Sequence, residues 1–177
     1  MSLREYVQQN LMRCNNENDA DAHYYMGLSA VYGLEQAPDP ESALSYYEKG
    51  AACGSAKCRY GLAVMRKDDP ALQHELFCQA FDRLLQQADA GDSESQRMVS
   101  CYYLCSDRGV ARDLDKAISW LRRSAEQNNA VAMFNLAGCY FKGECVEKNQ
   151  DLALEWLRKS AAEGYEKAVV MLQKLEK

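Results

Sequence analysis

A chain of 177 residues, 47% hydrophobic and 27% charged, has the length and mixture for a sizeable core in one domain. Its formal net charge of −5, with 21 basic residues scattered among 26 acidic ones, provides no basic field for phosphates, which argues against nucleic acid or an anionic membrane as partner and in favour of a protein or peptide. No apolar run approaches the roughly 18–20 residues that span a bilayer, and the first residues lack the apolar stretch of a signal peptide, so the expectation is a soluble cytoplasmic monomer; a leader removed ahead of Met1-Ser2-Leu3 would make it periplasmic or secreted.

In chain order, the spacing predicts a leading helix over 2–14, then a unit that returns four times. Each unit opens with one amphipathic helix: "ADAHYYMGLSAVY", "AKCRYGLAVMRKD", "SESQRMVSCYYLC" and "AVAMFNLAGCYFK". Each continues with a second: "PESALSYYEKGAACG", "ELFCQAFDRLLQQADAG", "DLDKAISWLRRSAEQNN" and "QDLALEWLRKSAAEG". The repeats fall at about 19–54, 55–91, 92–128 and 129–164, and "YEKAVVMLQKLEK" begins the pattern again as a closing helix over 165–177. Pro38-Asp39-Pro40, Asp113 and Asn149 suit helix starts. Gly54, Gly91 and Gly164, with Asn128 or Asn129, sit where a helix end needs a positive φ.

The aliphatic column Met26, Leu62, Val99, Leu136, Leu172 advances by 36 or 37 residues at each step. Small residues flank it: Ala22, Cys58, Ser95, Ala132 and Ala168 four positions before, and Gly27, Ala63, Ser100 and Ala137 just after. An aliphatic stripe between two small ones describes a helix face pressed closely on a neighbour. In the second helices, Ala43, Ala117 and Ala153 each precede an aromatic by three, namely Tyr46, Trp120 and Trp156, so that ring is expected to be the large core knob. The second repeat is irregular: "RKDDPALQHELF" has no Gly-rich loop, and Phe81–Ala88 fits the pattern only with a shift.

These columns, with A-x-A-x-x-x-L-G, a Gly-rich loop, K-A-x-x-W and x-A-A-x-x-G, resemble the Sel1-like repeat, a relative of the tetratricopeptide repeat, over about residues 18–177. Repeat four is nearest, departing mainly at Ala137 and Cys145 where the family has glycine; repeat three has one extra residue and Asp107 for a loop glycine. The resemblance implies an all-α fold, a right-handed α-solenoid of four helix–loop–helix repeats, acting as a scaffold or adaptor without common catalytic residues. It further implies that the concave face binds the partner, which on the matching positions is Tyr24, Leu28, Lys57, Tyr60, Val64, Lys67, Arg97, Cys101, Phe134, Phe141 and Lys142. An immunity or inhibitor protein is a narrower version of that function. The rival class is a hydrolase of cell-wall or β-lactam compounds, as in cysteine-rich relatives.

The residues themselves argue against chemistry. His23 and His74 are the whole histidine complement, outside any H-E-x-x-H, G-x-S-x-G or P-loop pattern. His74 and Cys78 have metal-ligand spacing, but a zinc site needs about four converging ligands and no second pair matches, so neither metal nor cofactor is expected. By spacing alone Cys53 and Cys58, or Cys101 and Cys105, are candidate redox pairs; helical Cβ vectors one turn apart run parallel rather than converging, which favours cysteine as a small apolar residue. Cys-rich family members staple successive repeats, which would here pair Cys58 with position 51, an alanine. Cys14 is a candidate for reaction between chains.

Overall fold

Capping side chains set the helix starts. Asp19, Ser55, Asp92 and Asn129 begin the first helices of the four repeats, and Asp39, Asp113 and Asn149 begin second helices, each with a side-chain oxygen accepting a backbone N–H from the opening turn. At the ends, Gly54, Gly91 and Gly164 take φ of 92°, 98° and 77°, and Asn128 takes 62° as the sole non-glycine with positive φ among the described residues. The computed structural model describes residues 3–13, 19–106 and 108–175.

Ten helices and no strand are present among them: α1 (Leu3–Arg13), α2 (Ala20–Tyr32), α3 (Pro40–Ala52), α4 (Ala56–Met65), α5 (Pro70–Asp89), α6 (Ser93–Leu104), α7 (Leu114–Glu126), α8 (Ala130–Lys142), α9 (Gln150–Ala162) and α10 (Glu166–Leu175). They form two compact units, one around Arg4–Leu84 with Asp107–Gly109, the other around Leu85–Ser106 and Val110–Lys177. Within the first, α2 packs on α3 and α4, and α3 on α4; within the second, α6, α7, α8, α9 and α10 each pack on the next. Packing of each helix on its chain neighbours is the pattern of an all-α solenoid.

The small columns of the first helices are buried as expected. Ala22, Cys58, Ser95, Ala132 and Ala168 are essentially inaccessible, as are Ala63, Ser100 and Ala137 behind them. In the second helices the knob is one residue later than expected. Ala43, Ala80, Ala117 and Ala153 are fully buried and share their face with Tyr47, Leu84, Leu121 and Leu157. Four residues advance a helix by about 400°, returning within 40° of the starting face, whereas three leave it 60° away. Tyr46, Trp120 and Trp156 are therefore only half-buried, each with a cation of the next turn over its ring: Lys49 Nζ at 5.9 Å, Arg123 Cζ at 4.8 Å and Lys159 Nζ at 4.4 Å.

That same face corrects the second repeat. Ala80, Leu84 and Ala88 are buried in step with the other repeats, so Phe81–Ala88 needs no shift. The Gly-rich loop is replaced by helix: α5 starts at Pro70, with Asp69 Oδ1 accepting from Leu72 N at 3.0 Å, and runs 20 residues where α3, α7 and α9 run 13.

Candidate partner-binding surface

The first helices supply the proposed surface, and burial divides its residues. In the first unit Tyr24 is 2% exposed, stacked on Tyr47 at 5.9 Å between centroids, and Tyr60 is 5% exposed, edge-on to Phe77 at 5.6 Å. Lys57 is also buried, its ammonium 3.4 Å from Asp21 Oδ2 and donating to Tyr25 Oη at 3.3 Å. Core packing thus removes Tyr24, Lys57 and Tyr60 from the surface where the sequence reading put them. Val64 and Lys67 are exposed and Leu28 is half-buried.

Arg108 explains Tyr60 and was missed by sequence reasoning. It lies between α6 and α7, yet its guanidinium sits 4.6 Å from the Phe77 ring centre and 5.5 Å from that of Tyr60, and Nη1 donates to Tyr60 Oη at 2.8 Å. The chain's own arginine fills this aromatic slot. A contact between residues 48 apart leaves no mark in a repeat pattern.

In the second unit, Arg97 is held by Glu94 on its own helix, Nη2 to Oε1 at 2.6 Å. Cys101 is half-buried. On α8, Phe134 is half-buried and edge-on to Tyr165 at 5.2 Å, Phe141 lies partly buried against the core of α7, α8 and α9, and Lys142 is exposed with its ammonium 3.8 Å from Glu144. Gly138 lies between the two phenylalanines on that stripe, and a Cβ built there would meet nothing within 4 Å. By contrast, a Cβ at Gly27 of α2 would lie 2.7 Å from Tyr47 Cδ1. Gly138 is therefore a notch open to the outside, flanked by rings at i−4 and i+3.

His74 Nε2 and Cys78 Sγ do meet, at 3.5 Å, but no group of three or more potential metal ligands forms among the described residues. The seven described cysteines are free thiols. Burial pushes the Cys58 thiol up to about 12, and the Cys139 thiol likewise to about 12, the latter helped by the neighbouring Cys145. The residue facing Cys58 is Gly50, not Ala51. Cys14 and Asp107 lie outside the described residues. No helix among those described is long and apolar enough to cross a membrane.

The family model described as Sel1 repeat matches residues 20–55, 93–129 and 130–165. A protective antigen of uropathogenic Escherichia coli strains, displaying an SLR fold, is similar at 25% identity and a TM-score of 0.50, over 97% of this chain and 36% of that one. A Sel1 repeat protein of Oxalobacter formigenes is 24% identical with a TM-score of 0.48, over 89% and 61% of the two chains. The chain thus spans less than two thirds of either protein's length. Among curated proteins none matches.

Proposed function

The chain belongs to the Sel1 repeat family, whose members generally act in protein–protein interaction, and we propose that it is a non-enzymatic scaffold or adaptor whose partner docks on the α8 face of Phe134, Gly138, Phe141 and Lys142. The open notch at Gly138 carries this reading. A mid-helix glycine costs about 0.5–1 kcal/mol relative to alanine, and here no neighbour demands its small size. Its effect is to leave backbone and two flanking rings accessible to a helix or extended peptide, with Lys142 as a cation at the rim.

The test is a comparative pull-down with the intact chain. Proteins captured by the wild type should be lost with Gly138→Leu, which plugs the notch, and kept with Arg158→Ala on the exposed side of α9. Equal capture by wild type and Gly138→Leu would rule out this face.

A further inference from the structure

The first repeat contains a hollow of about 310 Å³ between α1, the end of α2, the α2–α3 loop and α3. Its origin is visible by comparison with the fourth repeat, whose loop has the same length. The two loops close alike: Gly33 and Gly143 take φ of 61° and 72°, Asp39 N donates to Ala30 O at 2.9 Å, and Asn149 N donates to Tyr140 O at 3.1 Å. The side chains differ. Repeat four has Tyr140 where repeat one has Ala30, Cys145 and Val146 where it has Glu35 and Gln36, and Trp156 where it has Tyr46. Tyr140 belongs to the repeat-four core, and Cys145, Val146 and Trp156 pack against it. Ala30, Glu35, Gln36 and Tyr46 instead line the hollow. The same backbone is thus present in repeat one without its phenol plug, and the loop's hydrogen bonds hold the space open.

We propose that this hollow receives a tyrosine side chain of a partner polypeptide, presented beside lysine or arginine. The proposal rests on the protein-interaction reading above but concerns a different surface. Leu11, Met26, Ala30 and the ring of Tyr46 give the walls an apolar lining that suits a ring, and the volume is at the lower end for ligand pockets, enough for one side chain. The polar wall contains two carboxylates, Glu35 and Asp39, and neither lysine nor arginine. Glu35 accepts from Gln8 Nε2 at 3.2 Å, and the nearby Arg4 guanidinium is turned to the backbone carbonyl of Leu34. The Ser42 hydroxyl, donating to Asp39 Oδ2 at 2.6 Å, holds the Asp39 carboxyl below the usual carboxylate range, and the Ser42 and Glu41 backbone N–H groups act in the same direction. The Asp39 carboxylate is therefore held ionised at neutral pH, and the rim accepts hydrogen bonds from a phenol and attracts a flanking cation.

The test is an amide-resolved NMR titration of the intact chain with acetylated, amidated Lys-Tyr-Lys, alongside Lys-Ala-Lys, Glu-Tyr-Glu and free p-cresol. Lys-Tyr-Lys should shift the amides of Ala30, Glu35, Gln36 and Tyr46, and bind at least about tenfold more tightly than the other three probes. Ala30→Tyr should supply the missing ring, abolish the shifts and keep or raise the thermal midpoint. Glu35→Lys should reverse the preference between Lys-Tyr-Lys and Glu-Tyr-Glu. Gly138→Leu should change none of this, so the two surfaces fail or stand separately. The proposal is overturned if Lys-Tyr-Lys leaves these amides unmoved, if Ala30→Tyr binds as well as wild type, or if p-cresol alone matches the peptide. A lowered midpoint for Ala30→Tyr would overturn it too, because the space would then already be filled.

Discussion

Arg97 and Glu94 lie one turn apart on α6 and grip each other side-on: Nε donates to both carboxylate oxygens at 3.1 Å and Nη2 donates to Oε1 at 2.6 Å. Asn129 Nδ2 adds a third donor at 2.8 Å, and Glu94 is 3% exposed. Arg97 is therefore the counter-ion of a buried acid before it is a surface cation. Arg97→Ala should lower stability in urea by about 3–5 kcal/mol, because it removes the counter-charge from a buried carboxylate. Adding Glu94→Gln should recover part of the loss; no recovery would show that the carboxylate is not what the arginine serves.

Gly50 and Cys58 exchange roles with residues of the later repeats. Ser124 Oγ donates to Ser93 O at 2.6 Å and Ser160 Oγ to Ala130 O at 2.7 Å, and the small column of the first helix that follows each serine holds an alanine, Ala132 and Ala168. In repeat one the serine position is Gly50, and the sulfur of Cys58 reaches Ala20 O at 3.5 Å in its place. A Cβ at Gly50 would collide with that sulfur and lie 2.9 Å from Ala20 O. Gly50→Ser should destabilise by about 1–3 kcal/mol through overpacking, and the double variant Gly50→Ser, Cys58→Ala should regain most of it. Additive losses in a double-mutant cycle would refute the exchange.

Two mid-helix glycines should respond in opposite directions. Gly138→Ala adds a Cβ to open space and should stabilise by about 0.5–1 kcal/mol. Gly27→Ala forces a Cβ to 2.8 Å from Tyr47 Cζ, and should cost about 1–3 kcal/mol. Thermal melts of both variants check the signs.

Helix starts and stops were legible because their causes are local: Asp39, Asp113 and Asn149 cap with their own side chains, and Gly54, Gly91, Gly164 and Asn128 supply the positive φ themselves. The small and aliphatic columns were legible because solenoid packing repeats. The second repeat misled because the missing Gly-rich loop hid the fact that Ala80, Leu84 and Ala88 were already in step. The surface was hardest. Whether Tyr24 or Phe134 turns inward depends on which side chain elsewhere in the chain receives it, Tyr47 of α3 for the first and Tyr165, just ahead of α10, for the second. The pairing of Tyr60 with Arg108 is set by tertiary packing alone.

Leu121 and Leu157 should matter more than the tryptophans beside them. Each leucine is essentially inaccessible, and Leu121→Ala or Leu157→Ala should cost about 2–5 kcal/mol. Trp120→Ala and Trp156→Ala remove half-buried rings capped by a cation, and should cost roughly half of the 3–5 kcal/mol typical of a fully buried ring. A tryptophan variant that unfolds more readily than its leucine neighbour in urea would contradict the assigned faces.

Alkaline pH should expose the buried thiols. Burial raises Cys58 and Cys139 from 9.0 to about 12, so above pH 9 the unfolded chain loses protons that the folded chain keeps. The unfolded state then binds fewer protons, and stability falls with rising pH across the window from about 9 to about 12. Below pH 9 both states hold the protons and these two thiols contribute no slope. Cys58→Ala and Cys139→Ala should each flatten the fall in thermal midpoint between pH 8 and pH 11 relative to wild type, a difference that cancels the tyrosine and lysine titrations common to all three proteins. In the native chain at pH 8, iodoacetamide should reach exposed Cys53 and Cys78 well before Cys58 and Cys139. An alkaline slope unchanged by both substitutions, with Cys58 alkylated as fast as Cys53, would mean that the small column of the first helices is open to water.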